Sequence, residues 1–242
     1  CYVAFLNPRV DYMICLADSV REMFLKNGMP GHKAITINKG HDPNWYADIQ
    51  PIDLKEFDIP EGALTCSFVA NYRTKMKGLH DLIKASDLLP ENVLIRFLLI
   101  GNGMDTPQIL DQIENSKHPE RFVFTGFRND ASSIVKACDI SISVSLFGEA
   151  TQKAMIEAMF LGNPVIMSTI SGNRGMVVDS EGGYLVEPNN PQQIAAAIGK
   201  FWSNRGQISS MGLAAKKHIG EFLDQARTVR EYAEFYQQIL ND

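Results

Sequence analysis

Glu149 and Glu157 stand eight positions apart in the stretch Ser145-Leu-Phe-Gly-Glu149-Ala-Thr-Gln-Lys-Ala-Met-Ile-Glu157. An apolar run, Ile140 to Val144, ends just before it, and a helical pattern from Gln152 to Phe160 carries the second acid. One carboxylate therefore falls in a strand-to-helix loop and the other about two turns further on. In an open α/β sheet, such loops lie at the carboxyl ends of the strands, where ligands bind. The helix start after Glu149 offers unpaired backbone N–H groups and a positive dipole end to a phosphate. The acids themselves do not suit phosphate. An ionised carboxylate only accepts hydrogen bonds, so it suits the paired hydroxyls of a diol. Phosphate beside diols points to a sugar nucleotide.

The elements around this stretch alternate. Apolar runs at Leu64–Ala70, Val93–Ile100, Phe122–Phe124, Ile140–Val144, Val165–Met167 and Tyr184–Val186 read as strands. Helical patterns fall between or after them at Leu79–Leu89, Pro107–Asn115, Ala131–Ala137, Gln152–Phe160 and Gln192–Trp202. Interleaved strands and helices mean a parallel sheet with right-handed crossovers. The fold class expected is α/β, a Rossmann-like doubly wound parallel sheet with flanking helices. Ahead of it, Val10–Ala17 reads as a strand, Val20–Lys26 as a helix capped by Asp18-Ser19, and Ala34–Ile37 as a short strand. From Pro43 to Pro60 no periodicity is visible. Ile208 to Leu240 reads as helical.

Composition narrows the class. The 242 residues are 45% hydrophobic and 21% charged, as in a globular protein. A net charge of −5 argues against nucleic acid as a partner, which would need a basic face. No apolar run reaches the ~18 residues that span a bilayer. Of the four cysteines, Cys15, Cys66 and Cys138 lie in apolar strand-like runs at spacings unlike a zinc site, so they read as buried thiols of a reducing cytosol. The chain starts at Cys1 without a signal-peptide pattern, as expected of a piece of a longer protein.

Further candidates follow other strand ends. Arg73, Lys75 and Lys77 come directly after Leu64–Ala70, and a guanidinium fork with an ammonium suits a diphosphate. A solvated basic turn is the plain alternative. Gly101 and Gly103 permit a tight turn or a close backbone approach, but Gly-Asn-Gly-Met-Asp-Thr lacks the third glycine of the dinucleotide fingerprint. Phe127 and Arg128 follow a third strand. Glu157 sits amid Ala154, Met155, Ile156, Ala158 and Met159, where a buried acid needs partners.

Several motifs stand in one order from about residue 62 to 198. They are Asn71-Tyr-Arg73-Thr-Lys75-Met-Lys77-Gly78, Leu99-Ile-Gly101-Asn-Gly103, Phe124-Thr-Gly126-Phe, the Glu149–Glu157 pair with Ala158-Met-Phe-Leu-Gly162-Asn-Pro164-Val-Ile166, and Gly172-Asn-Arg174 followed by Gly182-Gly-Tyr-Leu-Val-Glu-Pro188. Together they resemble the donor half of family 4 retaining glycosyltransferases of the GT-B fold. The resemblance implies two Rossmann-like domains facing across a cleft, the second holding the nucleotide sugar. Residues 1–42 would be the remnant of the acceptor domain and hinge, with Asn38-Lys-Gly40-His-Asp42 resembling the family's hinge motif plus one residue. Residues 43–226 would be the donor domain. Residues 227–242 would be a helix that either crosses back to the missing acceptor domain or packs on its own.

By that resemblance Arg73, Lys77 and Glu149 are the catalytic candidates. Arg73, Lys77, Gly103, Phe127, Glu149, Ala150, Thr151 and Glu157 bind the donor, with Lys75 able to replace Arg73 or Lys77. Glu157 would take the ribose hydroxyls and Glu149 the sugar. Ala150-Thr151-Gln152 departs from the family's usual glycines, which puts the sugar in doubt more than the reaction. There is no Asp-x-Asp motif, and the resemblance implies no metal and no cofactor beyond a nucleoside-diphosphate sugar as substrate. The basic loop and the helix start would stabilise the leaving diphosphate. This chain alone would bind donor and transfer little. A cytoplasmic protein is expected, without nucleic acid, with room for peripheral membrane contact in a full-length form. A GT-B sugar-nucleotide epimerase and a non-catalytic nucleotide-binding scaffold remain the alternatives.

Overall fold

The computed structural model describes residues 7–148, 151–173 and 175–241, together with all their side chains except that of Ser171. Its centre is a six-stranded parallel sheet of β3 (Leu64–Val69), β4 (Ile95–Ile100), β5 (Phe122–Gly126), β6 (Ile140–Ser143), β7 (Val165–Ser168) and β8 (Gly183–Val186). The spatial order is β5-β4-β3-β6-β7-β8. The chain therefore steps outward from β3 through β4 to β5, then returns to the other side of β3 and steps outward again. That reversal between β3 and β6 opens a crevice at their carboxyl ends. Every residue of β6 and of β7 is buried. Strands covered on both faces read as unbroken apolar runs, which is why the sequence marks them so clearly.

Helices cover both faces. α3 (Leu79–Leu88), α4 (Pro107–Glu114) and α7 (Pro191–Ser203) pack over a core that includes Phe68, Leu82, Phe97, Leu99, Ile109 and Phe201. α5 (Ala131–Ala137), α6 (Lys153–Leu161) and α8 (Ile208–Phe222) pack over Leu98, Ile134, Met155, Met159 and Ile219 on the other. Arg121, buried at the start of β5, donates to the carbonyls of Ser86 (2.7 Å), Pro90 (3.2 Å) and Val93 (3.3 Å) and so closes the turn between α3 and β4. A buried guanidinium is tolerated because its donors are spent on carbonyls.

The first segment is less regular than expected. β1 is only Met13–Cys15, and it pairs in parallel with β2 (Ala34–Thr36). Between them α1 runs over Asp18–Lys26. Its N-cap is Ala17 with no side-chain cap bond, so the expected capping by Asp18-Ser19 is wrong. Asp18 instead lies in the first turn, where its charge complements the helix dipole. The stretch without periodicity holds two 3₁₀ turns, Pro43–Tyr46 and Leu54–Phe57, each opened by an aspartate that accepts from a backbone N–H two residues on.

The helical stretch expected over 208–240 is two helices, α8 and α9 (Gln225–Asn241), broken at Leu223-Asp224, and the second covers most of the separate last helix expected over 227–242. The break faces the stretch 38–41. The His41 N–H donates to the Leu223 carbonyl at 2.9 Å, and the Thr228 hydroxyl to the Asn38 carbonyl at 2.9 Å. The Phe235 ring meets Tyr12 edge-on at 5.2 Å between centroids. α9 thus packs on the stretch 38–41 and on the first segment, while Val229, Tyr236 and Leu240 are exposed. Among the described residues, no helix is long and apolar enough to cross a membrane.

Candidate functional site

The basic loop sits at the reversal of the sheet. After β3, Tyr72 takes a left-handed backbone (φ 54°), and a single short helix turn, α2 (Thr74–Lys77), follows. The sequence had shown no helix there, because four residues carry no period. Arg73 and Lys75 are exposed and Lys77 is half-buried. Gly78 ends this turn and starts α3 with φ 77°. It lies directly against the Val144 carbonyl at the end of β6, where a side chain would collide. The Leu146 N–H donates to the Met76 carbonyl at 2.8 Å. These two contacts fix the Arg73–Lys77 loop against the loop that leads to Glu149.

Neighbouring loops are stitched to the same corner. The Asn71 side chain accepts from the Asn102 N–H at 2.8 Å, and the Tyr72 N–H donates to the Asn102 carbonyl at 2.9 Å. The space a side chain would need at Gly103 is filled by the Tyr72 ring, and that at Gly101 by the Ala70 carbonyl. The close approach expected at these glycines is thus made by the protein's own β3–α2 loop. Three exposed aromatics, Tyr72, Phe127 and Phe147, follow the ends of β3, β5 and β6. Tyr72 and Phe147 were not singled out in the sequence, because nothing in it tells an exposed ring from a core one. Arg128 is committed elsewhere. It donates to Asp130 at 2.7 Å and 2.8 Å and to Glu56 at 2.9 Å, holding the Leu54–Phe57 turn to the β5–α5 loop.

Glu149, Ala150 and Arg174 lie outside the described residues. Thr151 is half-buried, and the residue that caps α6 is Gln152, with no side-chain cap bond, so Thr151 does not cap the helix. Glu157 faces out from the first half of α6. Its side chain is 27% exposed and its carboxylate meets Lys153 at 3.2 Å, so the expected burial is only partial. The ring of Tyr46 packs against Phe160 at 5.5 Å on the same helix, and its hydroxyl pairs with His41 Nε2 at 2.5 Å. Burial pushes the Tyr46 hydroxyl above its usual range, and the Glu157 charge adds to that. Burial pulls His41 down, helped by Lys39 and Lys153.

A cleft of about 290 Å³ includes Thr151 among its lining residues but none of Arg73, Lys77, Gly103, Phe127 or Glu157. On one wall stand Ala17, then Asp18, Ser19 and Glu22 of α1, with Asn38. On the other stand Thr151, Gly172 and Gly175, and Phe222 with Leu223 close its end. The start of α1 thus faces the start of α6 and the loop after β7. Asp18 and Ser19, read in the sequence only as a helix cap, are cleft-lining groups. β6 and β7 end in buried polar side chains. The Ser168 hydroxyl donates to the Ser145 carbonyl at 2.6 Å, and the Asn173 amide to the Ser168 carbonyl at 2.7 Å.

The chain compares with known proteins as follows. Residues 63–204 match the family described as Glycosyl transferases group 1. It is 27% identical over 237 residues to an uncharacterized glycosyltransferase of Methanocaldococcus jannaschii, covering 96% of this chain and 60% of that protein. It is 24% identical over 188 residues to N-acetyl-alpha-D-glucosaminyl L-malate synthase of Bacillus anthracis, covering 78% of this chain and 49% of that one. The chain thus spans roughly half to three fifths of these relatives. Anabaena HepE, solved in complex with UDP-glucose, superposes with a TM-score of 0.84 at 21% identity, over 98% of this chain and 66% of that one. A glycosyltransferase of Rickettsia africae superposes with a TM-score of 0.88 at 20% identity, over 100% of this chain and 67% of that one. At such identities the superpositions establish the fold, that of the GT-B glycosyltransferases.

Proposed function

Since the chain belongs to the glycosyl transferases group 1 family, we propose that it is the donor-binding half of a retaining, metal-independent glycosyltransferase of family 4. The observation that carries this reading is the seating of Arg73 and Lys77 at the sheet reversal, against the loop that enters α6. In this reading the cations of that loop and the start of α6 would together take the diphosphate. They would hold the ground state and then the charge that grows on the leaving diphosphate, which is where electrostatic stabilisation acts.

The donor would lie along the carboxyl edge of the sheet. Phe127 and Tyr72 offer stacking faces to the base, and Glu157 an acceptor pair to the ribose diol. Glu149, Ala150 and Thr151 would border the sugar, with Gly103 supporting Tyr72 from behind. Sugar would pass to an acceptor hydroxyl on the face the diphosphate leaves, the diphosphate itself taking the proton, so no protein nucleophile is needed. We assign the acceptor to a separate domain, with residues 1–42 as its tail and hinge, 43–226 as the donor domain and 227–242 as the helix joining them. Three buried free thiols, Cys15, Cys66 and Cys138, suit a reducing compartment and hence the cytoplasm. The relatives do not favour the epimerase or scaffold alternatives.

Calorimetric titration of this chain with UDP, GDP and ADP, without added metal, tests the reading. One of them should bind, and Glu157→Ala should weaken that binding about tenfold, the worth of about 1.4 kcal/mol of lost hydroxyl contacts. A folded chain that binds none of the three would sink it.

A further inference from the structure

His41 joins three parts of the chain that lie far apart in sequence. Its buried ring stacks on Phe160 of α6 at 5.2 Å and on Tyr46 at 5.5 Å, and Trp45 meets it edge-on at 4.8 Å. Nε2 pairs with the Tyr46 hydroxyl. The His41 N–H donates to the Leu223 carbonyl at 2.9 Å, and Asp224 stands opposite His41 in a parallel bridge. One residue earlier, a Cβ at Gly40 would stand only 2.8 Å from the Gln225 Cα, so the backbone is pressed against the start of α9. The Thr228 hydroxyl donates to the Asn38 carbonyl from the same helix. Residues 38–46, which lead from β2 toward the six-stranded sheet, are thus gripped between α6 and α9, with the His41 ring at the centre.

This packing suits a neutral ring and not a charged one. Protonation makes both ring nitrogens donors, and Tyr46 serves only one of them. Nδ1 has no partner, so its N–H would be buried and unpaired on a cation stacked between aromatic rings. The charged neighbours do not offset this. On the same stretch Lys39 opposes a proton and Asp42 favours it, but the Asp42 carboxylate already accepts from the Asn44 N–H at 2.9 Å. On α6, Lys153 also opposes it, and Glu157 is paired with Lys153 at 3.2 Å. At the α8–α9 break the Asp224 carboxylate accepts from the N–H groups of Ala226 and Arg227. We propose that His41 is the pin of an acid-sensitive latch: the neutral ring locks residues 38–46 between α6 and α9, and a proton on it releases them. β1, α1 and β2 precede this stretch and α9 packs on it, so release loosens both ends of the chain together. The latch does not depend on the donor-site reading. Burial first, then Lys39 and Lys153, lowers the proton affinity of the latched ring. A released His41 charges near the usual value of about 6.5, the latched one only at lower pH. Stability from the latch is therefore complete above about pH 6.5 and is lost as pH falls from there through the lowered value.

The test is amide hydrogen exchange of the parent chain at about pH 7.5 and about pH 5.5, on either side of an ordinary histidine, with each rate normalised to its unfolded-chain value. The His41 N–H and the amides of α9 should lose about tenfold or more in protection at the lower pH, while those of β3 to β8 keep theirs. His41→Gln, which stays neutral and can still bond to Tyr46, and His41→Phe, which keeps the stacked ring, should show no such loss. Melting should agree, the parent's Tm falling over that range by at least about 2 °C more than that of either variant. The His41 ring resonance, followed by NMR in the parent, should titrate together with the loss of protection, so the assignment holds even if neither variant folds. Unchanged protection in the parent would overturn the proposal, as would a ring that titrates without it. An equal loss in a folded variant would overturn it too, because another group would then be responsible. So would a loss spread evenly over β3 to β8, which is global unfolding and not release of one stretch.

Discussion

Replacing Arg73 and Lys77 together with alanine should weaken nucleoside diphosphate binding about a thousandfold and leave the parent nucleoside within about twofold. Hydrogen bonds to charged groups contribute roughly 1.5–3 kcal/mol each, so two of them correspond to 10²–10⁴ in affinity at about 1.4 kcal/mol per tenfold. Each single variant should lose about ten- to a hundredfold. Neither side chain belongs to the core clusters, and the backbone bond from the Lys77 N–H to the Arg73 carbonyl at 2.9 Å survives both substitutions. The nucleoside control separates the two roles this loop can have. If the cations serve the diphosphate, the phosphate increment vanishes and the base contact stays. If the loop is only a solvated turn, neither titration changes. Salt gives a second readout, because screening weakens attraction between exposed charges. The parent chain should lose diphosphate affinity as salt rises, and the double variant should respond little. Equal losses for nucleoside and diphosphate would mean a collapsed loop and would remove Arg73 and Lys77 from the phosphate site.

The same corner shows where the sequence was readable and where it was not. The strands β3, β4, β6 and β7 are buried on both faces, so each is a continuous apolar run and stands out. Helices α3 to α7 lie between or after them with clear periods, and their expected bounds fall within about two residues of the observed ones. The strand order did not have to be guessed freely, since right-handed crossovers leave few choices. Shorter features carried no such signal. α2 is four residues long, and the 3₁₀ turns at Pro43–Tyr46 and Leu54–Phe57 have no hydrophobic period to betray them. The break between α8 and α9 depends on the backbone bond from His41 to Leu223, a contact across more than 180 positions that no local pattern records. Site residues were legible as types and not as neighbours. Arg128 resembled a ligand group until Asp130 and Glu56 were found holding it, and Gln152, read only as part of a departure from the family's glycines, gave no sign that its side chain is buried.

Gly78→Ala should destabilise the chain by at least about 3 kcal/mol, whereas Gly62→Ala should cost only about 1 kcal/mol. The pair is informative because the two glycines share the same backbone angle, φ 77° in both. A side chain in that left-handed region is strained wherever it stands, so this part of the cost is common. Their surroundings differ. A methyl group at Gly62 would meet nothing within 4 Å, but at Gly78 it would run into the backbone carbonyl of Val144. A carbonyl in a packed strand end cannot rotate aside as a flexible side chain can, so the loop must move or β6 must bend. Denaturant unfolding of both variants isolates the close approach as the difference between them. A difference below about 1 kcal/mol would mean that the two loops can part without cost. The approach also sets how far the Arg73–Lys77 loop stands from the loop that enters α6. In whatever fraction of Gly78→Ala remains folded at low temperature, diphosphate affinity should fall as well, while Gly62→Ala, remote from the site, keeps it. Stability and ligand binding would then be lost through one contact, because the glycine that lets β3 and β6 share a corner also holds together the two loops proposed to bind the diphosphate.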